Sequence, residues 1–564
     1  PSLQRISSSY KCMSLHLSLL VVLMTVCGTG IHAEKQRIQP NLSLRGSKTV
    51  GFLSPRMPLP SQSLGRLSGV ARQEAVKQPR VRSAKRNFHQ HMPLGRVSYG
   101  LLHFWTQTAK SGHVVIGMRK GRATVLPPRG KTSCSMSAGA ESASTLDSLN
   151  FDNKFIKELP GDPISEHDVI EGNKCRQVMG AAYSLVMPTK VAQPELVAVS
   201  AECAELLGLT MEDCYSQRFA DIMAGNELLP GSKPFAANYG GHQFGSWAGQ
   251  LGDGRAMSLG EVLNSSGERW ELQLKGAGPT PYSRNSDGRA VLRSSVREFL
   301  CSEAMHHLGI PTARALSLVK TGDQVVRDMF YNGDAKPEPG AIVCRVAPSF
   351  LRFGSFELYN LRGEPDLLAD LLKFTLQRDF PTIWAEHGRT IDTAAVEMLR
   401  EICKTSAKMI AGWMRVGFVH GVMNTDNMSV LGLTIDYGPY GWLDNYDLKW
   451  TPNTTDAGRR RYCFGNQPLI GLWNLVQLAN ALYPIVEDAA PLEEVLKQYQ
   501  ESFDAEISRV QQLKLGLTSW SLEPDKRLFE DLEQLLQAEE TDMTIFFRRL
   551  ADLPVSEEVE EEEG

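Results

Sequence analysis

Apolar and polar residues alternate with different periods in successive parts of this chain. From Arg269 to Lys275 the period is two, which predicts a β-strand with the lysine on the face opposite the leucines. From residue 289 to 311 apolar residues recur at helical spacing, and Gly309 and Pro311 close the stretch, which predicts a helix. Thr393 to Met414 repeats the helical period more strongly. The pattern therefore predicts an α+β protein in which a strand-rich half precedes a helical half.

The helix predicted over residues 289–311 should bury an apolar face and expose a polar stripe. The apolar positions are Leu292, Val296, Phe299, Leu300 and Leu308, and the polar stripe holds Arg293, Arg297 and Glu298. Residues 191–229 also contain helix-like stretches, with Leu196 and Val199 among the apolar positions. Residues 341–347 are typical of a short buried strand.

Composition divides the chain into four regions. Over all 564 residues, 42% are hydrophobic and 22% are charged, and the net charge is −4. These values are typical of a globular protein and give no whole-chain reason to expect nucleic-acid binding. We expect a targeting or disordered basic region over 1–145, a strand-rich domain over 146–360, a helical domain over 361–553 and an acidic tail over 554–564.

The N-terminal region has the composition of a targeting sequence. Residues 35–140 are rich in Lys, Arg, Ser, Gly and Pro and include one acidic residue, Glu74. This composition predicts an organellar transit peptide, with the mitochondrion first and the plastid as an alternative. The apolar run Leu15–Cys27 resembles the core of a signal peptide, so import by the secretory route is another alternative. A basic arm that touches nucleic acid or membrane remains open, although we expect neither a nucleic-acid partner nor a stable membrane anchor.

The ten cysteines are scattered along the chain. They form no C-x-x-C motif and no Cys/His cluster with zinc spacing. We therefore expect reduced and mostly buried thiols.

A glycine-rich turn, a strand lysine and a helix glutamate follow one another in the order that protein kinases use. The turn contains Gly252, Gly254 and Arg255, and glycines at this density let backbone N–H groups approach phosphate oxygens. Lys275 lies on the predicted strand and Glu298 on the predicted helix. In kinases the corresponding lysine holds phosphates and the glutamate orients it. A plain turn and two ordinary surface charges are the alternative.

The segment from Gly417 to Gly438, GFVHGVMNTDNMSVLGLTIDYG, resembles the catalytic part of a kinase with one residue replaced. His420 and Asn427 have the kinase spacing, and Asp436 opens an Asp-Tyr-Gly where kinases have Asp-Phe-Gly. Val422 takes the place of the catalytic aspartate, and valine cannot accept a proton. The side-chain oxygens of Asn427 and Asp436 suit Mg²⁺ or Mn²⁺, whereas a turn residue and a cap are the alternative. The segment predicts metal-dependent ATP chemistry without the usual base.

Two arginines and an Asp-Gly pair complete the candidate residues. Arg345 and Arg352 suit bidentate contact with phosphate, and structural ion pairing is an equal alternative. Asp287 and Gly288 could meet a nucleotide or could simply form a turn.

Together these segments closely resemble one family, the selenoprotein O (SelO) pseudokinases. The resemblance covers about residues 149–550 and rests on YGGHQFGSWAGQLGDGRA, LQLKGAGPTPYSR, DGRAVLRSSVREFLCSEAMHHLGIPTARALSLV, CRVAPSFLRFGSFE, HGVMNTDNMSVLGLTIDYGP and NQPLIGLWNL. It implies a protein-kinase-like two-lobed fold and an adenylyltransferase (AMPylase). Such an enzyme transfers AMP from ATP to Ser, Thr or Tyr hydroxyls of other proteins and releases pyrophosphate. In this family the nucleotide lies inverted relative to kinases, so that the α-phosphate faces the acceptor.

The resemblance also implies roles for individual residues. Glu298 would support Lys275, and Asn427 and Asp436 would bind Mg²⁺ or Mn²⁺. Asp426 would accept the hydroxyl proton, or it would only order its loop. The implied ATP-binding residues are Gly252, Gly254, Arg255, Lys275, Asp287, Gly288, Arg345, Arg352 and Asp436.

Two other functions remain as alternatives. A protein kinase would transfer the γ-phosphate, although Val422 argues against it. A non-catalytic pseudokinase scaffold would bind ATP and form no product.

Overall fold

A computed structural model describes residues 144–329 and 332–553. The predicted transit peptide, the signal-like run and the acidic tail therefore lie outside the described residues, apart from residues 144–145. Within the described residues, strands dominate up to residue 347 and helices dominate after residue 352. The predicted α+β class, with strands first and helices second, is confirmed.

Eight of the strands form one antiparallel sheet. Its order is β2-β4-β7-β8-β10-β9-β3, and β1 pairs with β7 beside that path. The strands are β1 (Asn150–Phe151), β2 (Tyr183–Leu185), β3 (Glu195–Val199), β4 (Phe235–Ala237), β5 (Gly240–Gln243), β6 (Ser246–Gln250), β7 (Ala256–Leu263), β8 (Arg269–Lys275), β9 (Arg314–Arg327), β10 (Lys336–Ala347), β11 (Phe418–Val419) and β12 (Gly441–Trp442). Strands β5 and β6 form a separate hairpin, and β11 pairs with β12.

The helices fall into a small set inserted among the strands and a larger set after them. Those in the strand-rich half are α1 (Lys154–Glu158), α2 (Pro163–His167), α3 (Val169–Gly172), α4 (Ala201–Leu206), α5 (Met211–Cys214), α6 (Gln217–Met223) and α7 (Leu292–His307). Those in the helical half are α8 (Phe353–Arg362), α9 (Pro365–Asp379), α10 (Pro381–His387), α11 (Ile391–Val416), α12 (Gln467–Val486), α13 (Ala489–Lys514), α14 (Leu522–Ala538) and α15 (Met543–Arg549).

Strand β8 lies in the middle of the sheet and has the predicted bounds. It pairs with β7 on one side and β10 on the other, so that Lys275 lies between Ala256 and Val343. Leu272 and Leu274 are buried in the core that β8 shares with helices α4–α6. Because side chains alternate across a strand, Lys275 points to the other face, as its period-two pattern predicts.

Helix α7 confirms the predicted helix but corrects its faces. Leu300 and Leu308 are 60% and 42% exposed, so these two leucines do not belong to the buried face. Glu298, predicted on the polar stripe, is buried because it turns toward cations of the sheet. Gly309 has a φ of +70°, the left-handed conformation that commonly ends a helix.

Two other elements, β3 and β10, also differ from the sequence pattern. Leu196 and Val199 were predicted in a helix, but they lie in β3, which pairs with β9; sheet pairing overrides the local pattern here. The strand predicted over residues 341–347 begins five residues earlier, at Lys336. The predicted domain boundary at residue 360 lies within helix α8, and the division into these domains stays a prediction.

The long helix α11 organises the helical half. Its buried residues, among them Leu399, Ile402 and Trp413, share one core with α8, α9, α12 and α13. It ends at Gly417, which has a φ of +73°, and the chain then enters β11 and the loop that carries His420. The helix therefore delivers this loop to the interior side of the sheet.

Within the described residues, one helical stretch, Phe464–Val486, is long and apolar enough to cross a membrane. Its residues Leu475, Leu478 and Leu482 are buried in the helical core, as in a soluble protein's core helix. Packing in the helical core thus explains why this stretch is long and apolar.

The cysteines that the structure describes are all free thiols. Six of them are buried, and Cys175 is exposed. The prediction of reduced, mostly buried thiols is confirmed for this part of the chain.

Candidate functional site

A cavity of about 360 Å³ lies between the glycine-rich turn, the central strands and the loop after β11. Ten residues that the sequence pattern identified lie in its walls. They are Gly252, Gly254, Arg255, Lys275, Arg345, Arg352, Val422, Asp426, Asn427 and Asp436. The structure therefore brings together residues from five separate stretches of the sequence.

The glycine-rich turn connects β6 to β7 and forms one wall of the cavity. Gly252 has a φ of +68°, and a Cβ there would lie 2.3 Å from the ring of Tyr282. A Cβ on Gly254 would lie 2.7 Å from the Tyr282 carbonyl oxygen. The N–H of Gly252 donates to the Tyr239 carbonyl and that of Gly254 to the Gly252 carbonyl. These two N–H groups are used inside the turn, so the glycines serve close packing and Arg255 supplies the charge.

Three buried charged groups and the partly exposed carboxylate of Asp436 meet at the end of β8. Lys275 Nζ lies 2.6 Å from Glu298 and 3.0 Å from Asp436. The Arg345 guanidinium lies 2.5 Å from Glu298 and 2.9 Å from Asp436. Two cations thus share two carboxylates, and the predicted proximity of Lys275 and Glu298 is present in the structure. Glu298 stands behind the lysine and does not line the main cavity.

The charges of this group are mutually dependent. Burial would raise the pKa of Asp436, but Lys275 and Arg345 hold it well below its usual range. Burial would likewise raise the pKa of Glu298, yet Arg345 and Lys275 lower it. Burial and the neighbouring Arg345 lower the pKa of Lys275 against the pull of both carboxylates. Both carboxylates are therefore ionised near neutral pH.

We call residues 422–427, in the loop after β11, the catalytic turn, because they correspond to the catalytic segment of kinases. It ends in a tight 3₁₀ turn, Thr425–Asn427, that faces the cavity. Asp426 is buried in this turn, and its Oδ1 has no hydrogen-bond partner within residues 144–329 and 332–553. Its Oδ2 accepts a long hydrogen bond of 3.3 Å from Gln243. Burial raises the pKa of Asp426 to about 7, although Arg352 opposes the shift. An under-used buried carboxylate at a cavity wall is a candidate proton acceptor.

Val422 lies at the position of the kinase base, and Asn427 lies at the position of a kinase metal ligand. The amide nitrogen of Asn427 donates to the Val422 carbonyl at 2.9 Å, which leaves the amide oxygen for another partner. His420 is buried, and its Nε2 lies 2.9 Å from the Ile435 carbonyl. Burial lowers the pKa of His420, so it is neutral and fixes the loop. Among these three residues only Asn427 offers an oxygen to a cation.

Arg352 connects the glycine-rich turn to the catalytic turn. Its guanidinium carbon lies 4.2 Å from the ring centre of Tyr239, and its Nη1 donates to the Tyr239 hydroxyl at 3.1 Å. The same Nη1 donates to the Asp426 carbonyl at 3.1 Å, and Nη2 lies 3.8 Å from Asp253. Arg345 and Arg352 thus make structural contacts and also line the cavity, so both interpretations apply to each.

Asp287 and Gly288 do not line the cavity themselves, although Ser286 directly before them does, and their implied place in the nucleotide site stays a prediction. Asp287 lies 2.7 Å from Arg327 and accepts a hydrogen bond from the Arg289 N–H. The hydrogen bond from Arg327 lowers the pKa of Asp287. A Cβ on Gly288 would lie 2.1 Å from the Gly278 carbonyl oxygen. These residues form a tight turn, the alternative that the Asp-Gly pair suggested.

Several cavity residues were not predicted from the sequence. They are Tyr239, Gln243, Asp253, Arg284 and Asn424. Tyr239 and Gln243 lie in the glycine-rich, aromatic stretch after Pro234. The density of glycines there predicted a close approach of the backbone, but it did not indicate which side chains would line the cavity. Arg284 has a φ of +56°, a backbone conformation that the local sequence pattern did not predict.

The hairpin β5–β6 fixes the catalytic turn from the other side. The His242 N–H donates to Thr425 Oγ1 at 2.7 Å, and Thr425 also donates to Glu357. A Cβ on Gly241 would lie 2.7 Å from Asp426 Oδ1. Because Gly241 has no side chain, the hairpin can press directly against this carboxylate.

The donor set of the cavity fits a divalent cation that also binds phosphate. The described residues contain no group of three or more His, Cys, Asp or Glu side chains able to hold a metal alone. They do place the Asn427 amide oxygen, the Asp436 carboxylate and the unpartnered Asp426 oxygen at one cavity. Mg²⁺ is commonly held by one or two carboxylates together with substrate phosphates, and Mn²⁺ accepts similar oxygen ligands.

Known proteins resemble this chain over most of its described length. A family model described as "Protein adenylyltransferase SelO" matches residues 173–563. The "Protein nucleotidyltransferase YdiU" of Aromatoleum aromaticum is 61% identical over 412 residues, which cover 72% of this chain and 77% of that protein. The proteins of the same name from Azoarcus sp. and Xanthomonas campestris pv. campestris are 60% identical over 405 residues, covering 72% of this chain and 76% of each.

A solved structure also overlaps the chain, though loosely. ROP2 from Toxoplasma gondii, described as having a protein-kinase fold and no enzymatic activity, is 13% identical, with a TM-score of 0.24. The match covers 54% of this chain and 87% of that one. So loose an overlap carries no argument about fold or activity. The kinase-like order of parts is instead visible in the structure itself: the glycine-rich turn, the strand lysine and the metal-type loop line the cavity, and the helix glutamate pairs with that lysine.

Proposed function

The chain belongs to the SelO family of protein adenylyltransferases, and from that premise we propose how its cavity transfers AMP to a protein. The enzyme is a nucleotidyltransferase with ATP as its substrate and proteins as its acceptors. The finer proposal is that Ser, Thr or Tyr hydroxyls attack the α-phosphate beside Asp426. Pyrophosphate then leaves toward the cationic end of the cavity, at Lys275 and Arg345.

The observation that carries this proposal is the content of the catalytic turn. Val422 lines the cavity where a kinase has its base, and it cannot take the proton of an acceptor hydroxyl. Asp426 lines the same wall with one oxygen free of hydrogen bonds among the described residues. A proton acceptor displaced from the kinase position fits an acceptor hydroxyl that approaches a different phosphate.

The transfer itself needs positioning and charge neutralisation more than covalent help. The acceptor oxygen forms a bond to the α-phosphorus, and the bond from that phosphorus to the oxygen bridging to the β-phosphate breaks. Pyrophosphate leaves with the electron pair, and the hydroxyl proton passes to Asp426. Lys275, Arg345 and Arg352 stand in the cavity wall and neutralise the charge that develops on the leaving group.

A divalent cation completes the proposal. Asn427 and Asp436 would hold Mg²⁺ or Mn²⁺, which supplies further neutralisation of the triphosphate when bound. Asp436 is already paired with Lys275 and Arg345. Its side chain is one-third exposed, so a face of this carboxylate remains open to the cavity. These two residues therefore keep oxygens available without any rearrangement of the sheet.

The experiment that tests the function uses ATP labelled separately at the α- and γ-phosphates. The full chain is incubated with a protein mixture and Mg²⁺ or Mn²⁺, and labelled proteins are separated. We expect α-label on protein acceptors and no γ-label. Transfer of γ-label would establish a protein kinase instead, and absence of both labels would favour the ATP-binding scaffold.

The place of action is a separate proposal. The basic composition of residues 35–140 supports import into an organelle, with the mitochondrion first. The relatives named above are bacterial proteins, which speaks against a transit peptide. Residues 1–145 fused to a fluorescent protein would decide, since a diffuse signal contradicts the import proposal.

A further inference from the structure

Three consecutive arginines lie on a loop beside the catalytic turn. We call residues Asp456–Tyr462 the arginine loop; Arg459 and Arg460 are exposed, and Arg461 is half-buried. None of the three forms an ion pair with a carboxylate in the described part of the chain. The surface residue Arg218, by contrast, is paired with both Asp147 and Glu227. The loop therefore presents uncompensated positive charge.

The only acidic residue of the arginine loop does not neutralise this charge. Asp456 is buried beneath the loop, where Oδ1 accepts the Arg461 N–H at 3.0 Å. Its Oδ2 accepts the Tyr462 N–H at 2.7 Å. The carboxylate thus serves the backbone and holds the loop in shape. The guanidinium groups of Arg459 and Arg460 remain exposed, and that of Arg461 is half-buried against Trp473.

Hydrogen bonds tie the arginine loop to the catalytic turn. The Tyr462 hydroxyl donates to Asn424 Oδ1 at 2.6 Å and accepts the Phe244 N–H at 2.9 Å. Asn424 lines the cavity two residues before Asp426. Phe244 and Arg460 have φ values of +51° and +50°, which non-glycine residues with bulky side chains rarely adopt. Strain of this kind persists where surrounding contacts impose it and is concentrated at functional sites.

Arg461 adds an aromatic contact that joins the loop to the hairpin β5–β6. Its guanidinium carbon lies 4.7 Å from the ring centre of Trp473. A Cβ on Gly245, at the hairpin tip, would lie 3.4 Å from that guanidinium. Gln243, two residues before Gly245 in the same hairpin, contacts Asp426. The arginine loop, the hairpin tip and Trp473 therefore form one surface beside the catalytic turn, which lines the cavity.

We propose that the arginine loop docks an acidic segment of the acceptor protein and so places its hydroxyl at Asp426. Guanidinium groups bind carboxylates in bidentate fashion, and arginine clusters are a common means of recognising acidic motifs. The triphosphate is served by cations inside the cavity, so these outer arginines are not needed for it. This inference rests on the proposed function, because it requires a protein acceptor at the α-phosphate.

The test compares two synthetic peptides that differ only in charge. Both carry one Ser, one Thr and one Tyr; Asp and Glu flank the hydroxyls in the first, and Asn and Gln replace them in the second. The full chain is compared with the double variant Arg459→Ser/Arg460→Asn, where Asn tolerates the left-handed backbone. The matched control is Lys526→Ser/Arg527→Asn on α14, which removes the same charge from exposed positions and contributes nothing to the cavity.

The wild-type chain should adenylylate the acidic peptide with the lower KM. In the arginine-loop variant this KM should rise about threefold to tenfold, as expected for two exposed ion pairs. The kcat and the KM for ATP should stay unchanged, and the control should match the wild type. The difference should shrink at about 0.5 M salt, where exposed charges are screened.

Several outcomes would overturn the inference. They are equal KM values for the two peptides in the wild type, no change in the arginine-loop variant, and no labelling of either peptide by a wild type that labels other proteins. Loss of binding to a single-stranded RNA in the variant, with unchanged peptide kinetics, would assign the loop to nucleic acid. A wild type that transfers no AMP to any protein would instead contradict the proposed function itself.

Discussion

Two clusters of mostly buried charged residues lie on the same face of β8, and only one of them borders the cavity. The site cluster consists of Lys275, Glu298, Arg345 and Asp436. The sheet cluster consists of Glu261, Glu271, Arg378 and Asp379. Gln273 stands between them on the strand, and its side chain contacts Arg345 from the site cluster.

The two clusters differ in how completely their oxygens are used. In the sheet cluster Glu261 accepts hydrogen bonds from the Phe155 N–H and from Arg378. Both oxygens of Asp379 are also bonded to Arg378. In the site cluster Asp436 keeps part of its side chain exposed to the cavity. Buried charge alone thus does not mark the site; an oxygen left available to a ligand does.

The sharpest way to break the comparison is to remove the free carboxylate beside the site cluster. Asp426→Asn keeps the shape but cannot accept a proton, so kcat for AMP transfer should fall about 10²–10⁴-fold. The Kd for ATP with Mg²⁺ or Mn²⁺, measured by calorimetry, should change little. If Asp426 only orders its loop, ATP affinity would fall with kcat, and that result would remove it from the chemistry.

Asp436→Ala tests the site cluster itself. Loss of this carboxylate removes a proposed metal ligand and leaves Lys275 and Arg345 with one shared partner. AMP transfer should fall about 10²–10³-fold. Asp444→Ala, at an exposed position a few residues later, is the matched control and should transfer AMP like the wild type. Activity of Asp436→Ala within threefold of the wild type would contradict the assignment.

Arg378→Met is the corresponding change in the sheet cluster. It removes the cation that Glu261 and Asp379 share and leaves only Arg269, 3.9 Å from Glu261, so the free energy of unfolding should fall by about 3–5 kcal/mol. AMP transfer per folded molecule should stay near the wild-type value. Urea unfolding and an activity assay at low temperature measure the two effects, with exposed Arg389→Met as the control. A selective loss of activity without loss of stability would erase the distinction between the clusters.

The sheet cluster should also show a pH dependence of stability. Burial, with Glu261 nearby, raises the pKa of Glu271 from 4.5 to about 7. Below the unfolded pKa both states hold the proton; between 4.5 and 7 only the folded state does, so stability falls as pH rises through this window. In urea unfolding, the free energy of unfolding of Glu271→Gln relative to that of the wild type should therefore rise by about 1–3 kcal/mol between pH 5 and pH 8. The exposed Glu268→Gln should show no such gain.

The sequence pattern predicted the elements that carry local periodicity. The bounds of β8, the existence of α7 and α11 and the proximity of Lys275 to Glu298 follow from it, because strand and helix periods fix which side chains share a face. The placement of Leu196 in a strand did not follow, since its partner strand β9 lies more than a hundred residues later. Long-range pairing overrides a short apolar run.

The candidate site was predictable to the same extent. Asn427 and Asp436 were found from spacing, whereas the contact of Gln243 with Asp426 joins positions 183 residues apart. The role of Asp287 stays a prediction, because an Asp-Gly pair has the same local form in a turn and in a binding loop, and its ion pair with Arg327 fits both. Sequence motifs identify chemistry, and the fold decides which motif reaches the cavity.

The central claim is that the triphosphate lies with its α-phosphate toward Asp426 and its terminal phosphates toward Lys275 and Arg345. A crystal structure of the full chain with a non-hydrolysable ATP analogue and Mn²⁺ tests it most directly. We predict the α-phosphate within hydrogen-bond reach of an acceptor hydroxyl held at Asp426. A γ-phosphate at that position, with the nucleotide oriented as in a phosphorylating kinase, would contradict the account.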